Sequence, residues 1–150
     1  MKEMTKYKKN NFSKVIPFII IFILTFVILL QSPINVFSQN GISGTDSSVF
    51  RTVAECIEKG GMPYRDSFDH KGPLMYLLNF FGIALGGYKG IWILEFLFLF
   101  VTFFYIYKIA NFRLNKAWSL GIVGITGSLL TFFLEGGNLT EEFALPFIAS

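Results

Sequence analysis

One cysteine and one histidine are all the thiol and imidazole chemistry that this 150-residue sequence holds. Cys56 has no partner for an internal disulfide and no Cys or His neighbour at metal-ligand spacing, which argues against redox chemistry and structural zinc. His70 stands without the further ligands that a metal site needs. No cofactor is expected, and nothing in the residues supports a divalent metal. Charge is scarce too: 15% of residues are charged, against 53% hydrophobic and 18% aromatic, with 19 Phe and a mean hydropathy of +0.55. Soluble domains carry about 25% charged residues, so lipid rather than water is the expected solvent. Internal repeats and low-complexity tracts are also missing, which excludes repeat architectures.

The few charges that exist are placed unevenly. Lys2, Lys6, Lys8, Lys9 and Lys14 crowd ahead of an uncharged run, 15–31, that reaches roughly 25 Å as a helix. Such crowding is an orientation signal rather than a nucleic-acid patch. No small-x-small cleavage pattern follows the run, so it reads as an uncleaved anchor. The basic segment 1–14 is then cytoplasmic, 15–31 is the first transmembrane helix, and 32–72 emerges outside. Within that external loop, 46–59 predicts an amphipathic helix: Val49, Phe50, Val53, Ala54 and Ile57 share one face, and Gly60 and Gly61 stop it. Too short and too charged to span, it is expected to lie on the membrane surface with its apolar stripe in the headgroup boundary.

Segment 73–86 is apolar but reaches only roughly 20 Å, which suits an interfacial helix or a short span. Segments 91–110 and 117–134 are strong spans despite Glu95, joined by the basic connector 111–116; with Lys108 close by and no acid, that connector belongs in the cytoplasm. Three spans satisfy the charge bias and put the acidic loop 135–142 outside, whereas four would reverse it. The stretch 143–150 begins a further apolar helix, so the chain reads as ending in mid-architecture. The expected class is an all-α polytopic membrane protein with three, or four, transmembrane helices and an external loop carrying a juxtamembrane amphipathic helix. Its place is the cell membrane, multi-pass, with membrane lipid as a partner and no nucleic acid.

Ionisable groups beside a membrane are costly unless they have work or partners. Asp46 opens the amphipathic helix, where the helix dipole favours the anion and an interfacial carboxylate suits a general base. It also completes a Ser43-x-x-Asp46 capping box, and the two roles are compatible. Arg65 and Lys71 flank Asp66, Asp69 and His70. The cluster suits a lipid-carrier phosphate, or equally a solvated loop with local ion pairs. Glu135, Glu141 and Glu142 form a second polar rim or simply the first turn of the next helix. Asn138, Leu139 and Thr140 match the N-glycosylation pattern, which is common by chance. Glu95 inside a span is a functional candidate or a polar contact to another helix.

Two blocks carry a family resemblance. Thr45 to Phe50, the run Gly61-Met62-Pro63-Tyr64-Arg65-Asp66-Ser67-Phe68-Asp69-His70-Lys71-Gly72-Pro73, and later Gly136 to Glu142 resemble the start of membrane glycosyltransferases of the GT-C superfold, nearest the protein O-mannosyltransferase and aminoarabinose transferase group. The resemblance implies sugar transfer from a polyprenyl-phosphate donor to an acceptor on the outer face, whether a cell-envelope glycan, a lipid or a protein. It implies Asp46 as catalytic base and Lys71 as the donor-phosphate residue. Arg65 and Arg51 would be further phosphate partners, and Glu141 or Glu142 second-loop acids. The chain departs from the family pattern at Gly72, where relatives have proline, and at Ser47, where many have an acid. Since the known enzymes are several times longer, this chain would be an N-terminal portion, insufficient by itself for activity. The rival reading is a small non-catalytic membrane protein or an inactive fragment; a transporter fragment would need polar residues lining its spans, and only Glu95 qualifies.

Overall fold

The computed structural model describes residues 2–34, 45–67, 70–134 and 137–150. It contains six helices among them: α1 (Lys2–Leu29), α2 (Thr45–Glu58), α3 (Pro73–Gly86), α4 (Tyr88–Arg113), α5 (Lys116–Phe133) and α6 (Thr140–Ala149). No strand occurs among the described residues, only an isolated bridge between Pro63 and Ser67. The all-helical expectation holds. Two helices, α4 and α5, are long and apolar enough to cross a membrane, whereas the apolar part of α1, Val15–Leu29, and α3 are shorter.

Local chemistry explains the boundaries. Pro73 occupies the first turn of α3, where its missing N–H costs nothing. Gly87, at φ 63°, turns the chain sharply into α4 while its N–H closes on the Ile83 carbonyl. The Asn115 side chain caps α5 by accepting the Trp118 N–H at 3.0 Å. Hydroxyls inside the helices are satisfied locally: Thr25, Thr102, Ser128 and Thr131 each donate to the carbonyl four residues back, so none needs water.

Helix α4 is the hub, packing against α1, α3, α5 and α6. Along its contact with α1 the ring pairs are Phe26 with Trp92, Phe22 with Phe96 and Phe18 with Phe104. Residue numbers fall on one helix as they rise on the other, so the two are antiparallel. Gly127 of α5 fits between Ile28 and Phe103, which lets α1, α4 and α5 close into a three-helix bundle around Leu29, Leu99, Phe103 and Val123. One end of the bundle therefore gathers the start of α1 and the α4–α5 connection. The opposite end carries α2, α3, the start of α6 and the loop between α5 and α6. Outward faces remain apolar, with Phe22, Ile23, Leu97, Val101, Ile125 and Leu129 exposed, a pattern suited to a lipid-facing surface.

One expectation is corrected here. The apolar stripe of α2 does not lie open for a headgroup boundary: Phe50, Val53 and Ala54 are buried, and the first two share a cluster with Met75, Tyr76 and Phe143. Helices α3 and α6 cover the stripe, because apolar partners on the same chain offer better packing than a lipid surface.

Candidate functional site

The loop between α2 and α3 is built around its own backbone. Tyr64 adopts a left-handed φ of 66°, its N–H donating to the Ser67 carbonyl at 2.7 Å. The Asp66 carboxylate accepts the Met62 N–H at 2.8 Å and pairs with its neighbour Arg65 at 2.7 Å. That guanidinium, followed by the Met62 N–H, holds the Asp66 carboxyl below its ordinary range. The phenols of Tyr64 and Tyr76 both donate to the Lys71 carbonyl, at 2.6 and 3.1 Å. Two rings, packed edge to face with centroids 5.8 Å apart, thus set the backbone at Lys71, and Pro73 starts α3 two residues later.

So held, Lys71 brings its ammonium to 3.5 Å from Asp46 Oδ2, in the first turn of α2. The side chains are 26% and 46% exposed, so the pair is open to an arriving ligand. These are the two residues expected to work together, and the fold brings them together across 25 positions. Arg51 is engaged elsewhere: its guanidinium lies 3.8 Å over the Tyr88 ring, whose hydroxyl bonds Glu55 at 2.5 Å, and its Nε is buried without a hydrogen-bond partner. Arg65 is spent on the local pair with Asp66. His70 and Glu141 are exposed. Asp69, Glu135 and the cap residue Ser43 lie outside the described residues. Among the described residues no group of three His, Cys, Asp or Glu is placed to hold a metal ion.

A second constellation is buried. Ser32, just past α1, donates its hydroxyl to Glu95 of α4 at 2.9 Å. Glu142 of α6 accepts the Asn138 N–H at 2.7 Å. Gly137 separates the two acids: a Cβ there would stand 2.7 Å from Glu95 Oε1 and 3.2 Å from Glu142 Oε2, so both carboxylates crowd one point that only glycine leaves free. Burial pushes the Glu142 carboxyl up to about 7. Asn138, at φ 53°, then links this cluster to the first site. Its Nδ2 donates to Ser47 Oγ at 2.7 Å, and its amide pairs reciprocally with Asn79 of α3 at 3.2 and 3.3 Å.

Sequence reasoning had singled out Glu95 and Glu142 separately and had no reason to join them. It missed Asn79, although a lone amide inside an apolar helix is a signal of the same kind as Glu95. The chance match to the glycosylation pattern at Asn138 carries no acceptor, because its side chain is fully buried and doubly bonded.

An apolar cavity of about 330 Å³ opens among α3, α4 and α6. Leu74, Met75, Leu78, Phe98, Phe143 and Phe147 line it, and Gly72, the residue after Lys71, is part of its wall. Its size falls in the range of small-ligand pockets, about 300–1,000 Å³.

Fold and site together define a helical protein with two helices long enough to cross a membrane and a polar constellation gathered at one end of its bundle. Residues 5–150 match the family described as "Putative competence-induced protein Ccs4 N-terminal domain", and the chain belongs to that family. No curated protein and no solved structure matches it. The match corrects the GT-C resemblance: this family is not a GT-C glycosyltransferase family. The structure gives a physical reason why the loop block misleads. Tyr64, Asp66, Tyr76 and Pro73 serve the loop's own turns and the start of α3, tasks that any lineage building such a loop must solve.

Proposed function

We propose that the α2–α3 end of this chain faces the outer side of the cell membrane and handles a lipid-borne phosphate, with sugar transfer to an acceptor hydroxyl as its chemistry. The carrying observation is the Asp46–Lys71 pair at 3.5 Å, partly open to solvent, with Gly72, the residue after Lys71, in the wall of an apolar cavity. An amphiphile with a phosphate head and a hydrocarbon tail fits that juxtaposition. Its phosphate takes over the Lys71 ammonium, freeing the Asp46 carboxylate. Asp46 then removes the acceptor hydroxyl's proton, the acceptor oxygen bonds to the anomeric carbon, and the sugar–phosphate bond breaks with its electron pair on the phosphate, neutralised by Lys71. Orientation follows from charge: the lysine-rich start of α1 and the connection carrying Arg113 and Lys116 share one bundle end, which the positive-inside rule puts in the cytoplasm. On this reading Val15–Leu29, α4 and α5 make three crossings.

The test uses the full-length protein in membranes with labelled polyprenyl-phosphate sugars. Asp46→Asn abolishes transfer and keeps lipid-phosphate binding, while Lys71→Ala weakens both. Unchanged transfer in Asp46→Asn removes the carboxylate from its role. One observation favours a second reading, a non-catalytic membrane protein: the same ion pair ties the start of α2 to the loop before α3, a purely structural service. In that case Asp46→Asn lowers thermal stability and no lipid phosphate binds.

A further inference from the structure

The two buried acids are not needed for the chemistry proposed above, yet they sit where four parts of the chain meet. Glu95 belongs to the hub helix and Glu142 to the first turn of α6; Ser32 follows α1, and Gly137 and Asn138 belong to the loop entering α6. The groups facing Glu142 among the described residues are the Glu95 carboxylate from α4, the Ser32 hydroxyl, the N–H groups of Asn138 and Leu139 and, from α5, Thr131, whose hydroxyl is committed to the Gly127 carbonyl. None is a cation. From α2 and α3 the network is reached through the neutral side chains of Ser47 and Asn79. The adjoining void, walled by Leu99, Leu130 and Thr131, measures about 10 Å³, at most one water, so it cannot hydrate a second charge. Two ionised carboxylates crowded against Gly137 without a counter-charge would repel at low dielectric.

We propose that Glu95 and Glu142 hold one proton between them as a latch, and that losing it releases the 137–139 segment and, through Asn138, frees Ser47 and the start of α2 that carries Asp46. The coupling path is short: Glu142 fixes the Asn138 backbone, the Asn138 side chain fixes Ser47, and Asp46 is the next residue. Acid closes the latch and alkali opens it. The sign agrees with burial raising the Glu142 carboxyl to about 7 from an ordinary 4.5, since the closed form then binds the extra proton.

Amide hydrogen exchange on the intact chain in lipid nanodiscs, corrected for intrinsic rates, tests the latch independently of any transfer activity. Protection at 137–143 and at 45–50 should fall together as pH rises from about 5 to about 7, by no more than about tenfold per pH unit, and then level off. The double variant Glu95→Gln/Glu142→Gln, which leaves no carboxyl in the cluster, should flatten both profiles, and each single variant should keep a pH-dependent profile from the acid that remains. Protection in the wild type that ignores pH overturns the proposal. So does loosening of 137–143 alone with 45–50 unmoved, or a pH dependence that survives in the double variant.

Discussion

Asn138 is the residue on which most depends, although a chemist reading the chain would pass over it. It is fully buried at a positive φ, and one amide serves Ser47 and Asn79 at once. Asn138→Ala takes the donor from the Ser47 hydroxyl and from Asn79 Oδ1 in the interior, at about 1–3 kcal/mol for each group. Thermal unfolding in detergent should show that loss, with Ser47→Ala costing less because it strands only one N–H of Asn138. Glu142 gives a second measurement. Burial pushes its carboxyl up to about 7, so the folded state holds more protons than the unfolded one in that window. The stability this group contributes is fully present below about 4.5 and is lost as pH rises through 7. Scans at acid and alkaline pH should differ in that sense for the wild type, and differ less for Glu142→Gln.

Among the elements, α3 and α4 form the tightest joint. A Cβ on Gly82 would stand 2.8 Å from the Ile91 Cα, and one on Gly90 would collide with the Gly82 carbonyl oxygen. Gly90→Ala must therefore push the helices apart, and overpacking of this kind costs about 1–3 kcal/mol. Lowered thermal stability alongside an unaffected Gly86→Ala, whose Cβ meets nothing, is the expected contrast. Helix α2 shows what a pattern leaves open. Its apolar face was legible from spacing alone, but spacing is the same whether the face meets lipid or protein. Because Phe50 is fully buried in the α2–α3–α6 cluster, Phe50→Ala should cost about 3–5 kcal/mol, far more than loss of a surface contact. A change within a few tenths would return the helix to the membrane surface.

For the whole molecule, the sharpest statement concerns ends. Antiparallel packing of α1 on α4, and of α5 on α4, sorts the chain into a basic end and an end where acids, amides and the loop lysine collect. In a Cys56→Ser background, a cysteine at exposed Met62 should react with an impermeant thiol reagent from outside intact cells. One at exposed Asn111 should react only after permeabilisation. Labelling of both from the same side would remove the orientation on which the proposed lipid-phosphate chemistry rests. The hub position of α4 has the same root: more of α4 than of α5 is buried, because α4 meets protein on several sides.

Composition and periodicity by themselves determined that the chain is helical, that it carries long apolar segments, and that its charges lie mostly outside those apolar runs. Each of these follows from local physics: unpaired backbone groups cannot stand in hydrocarbon, and charges avoid it. Only the tertiary structure decided that Asp46 meets Lys71, that Glu95 meets Glu142 across Gly137, and that the face of α2 belongs to α3 and α6. Those pairings depend on how helices pack over tens of residues of separation, and no spacing along the chain records which distant side chains will share one small volume.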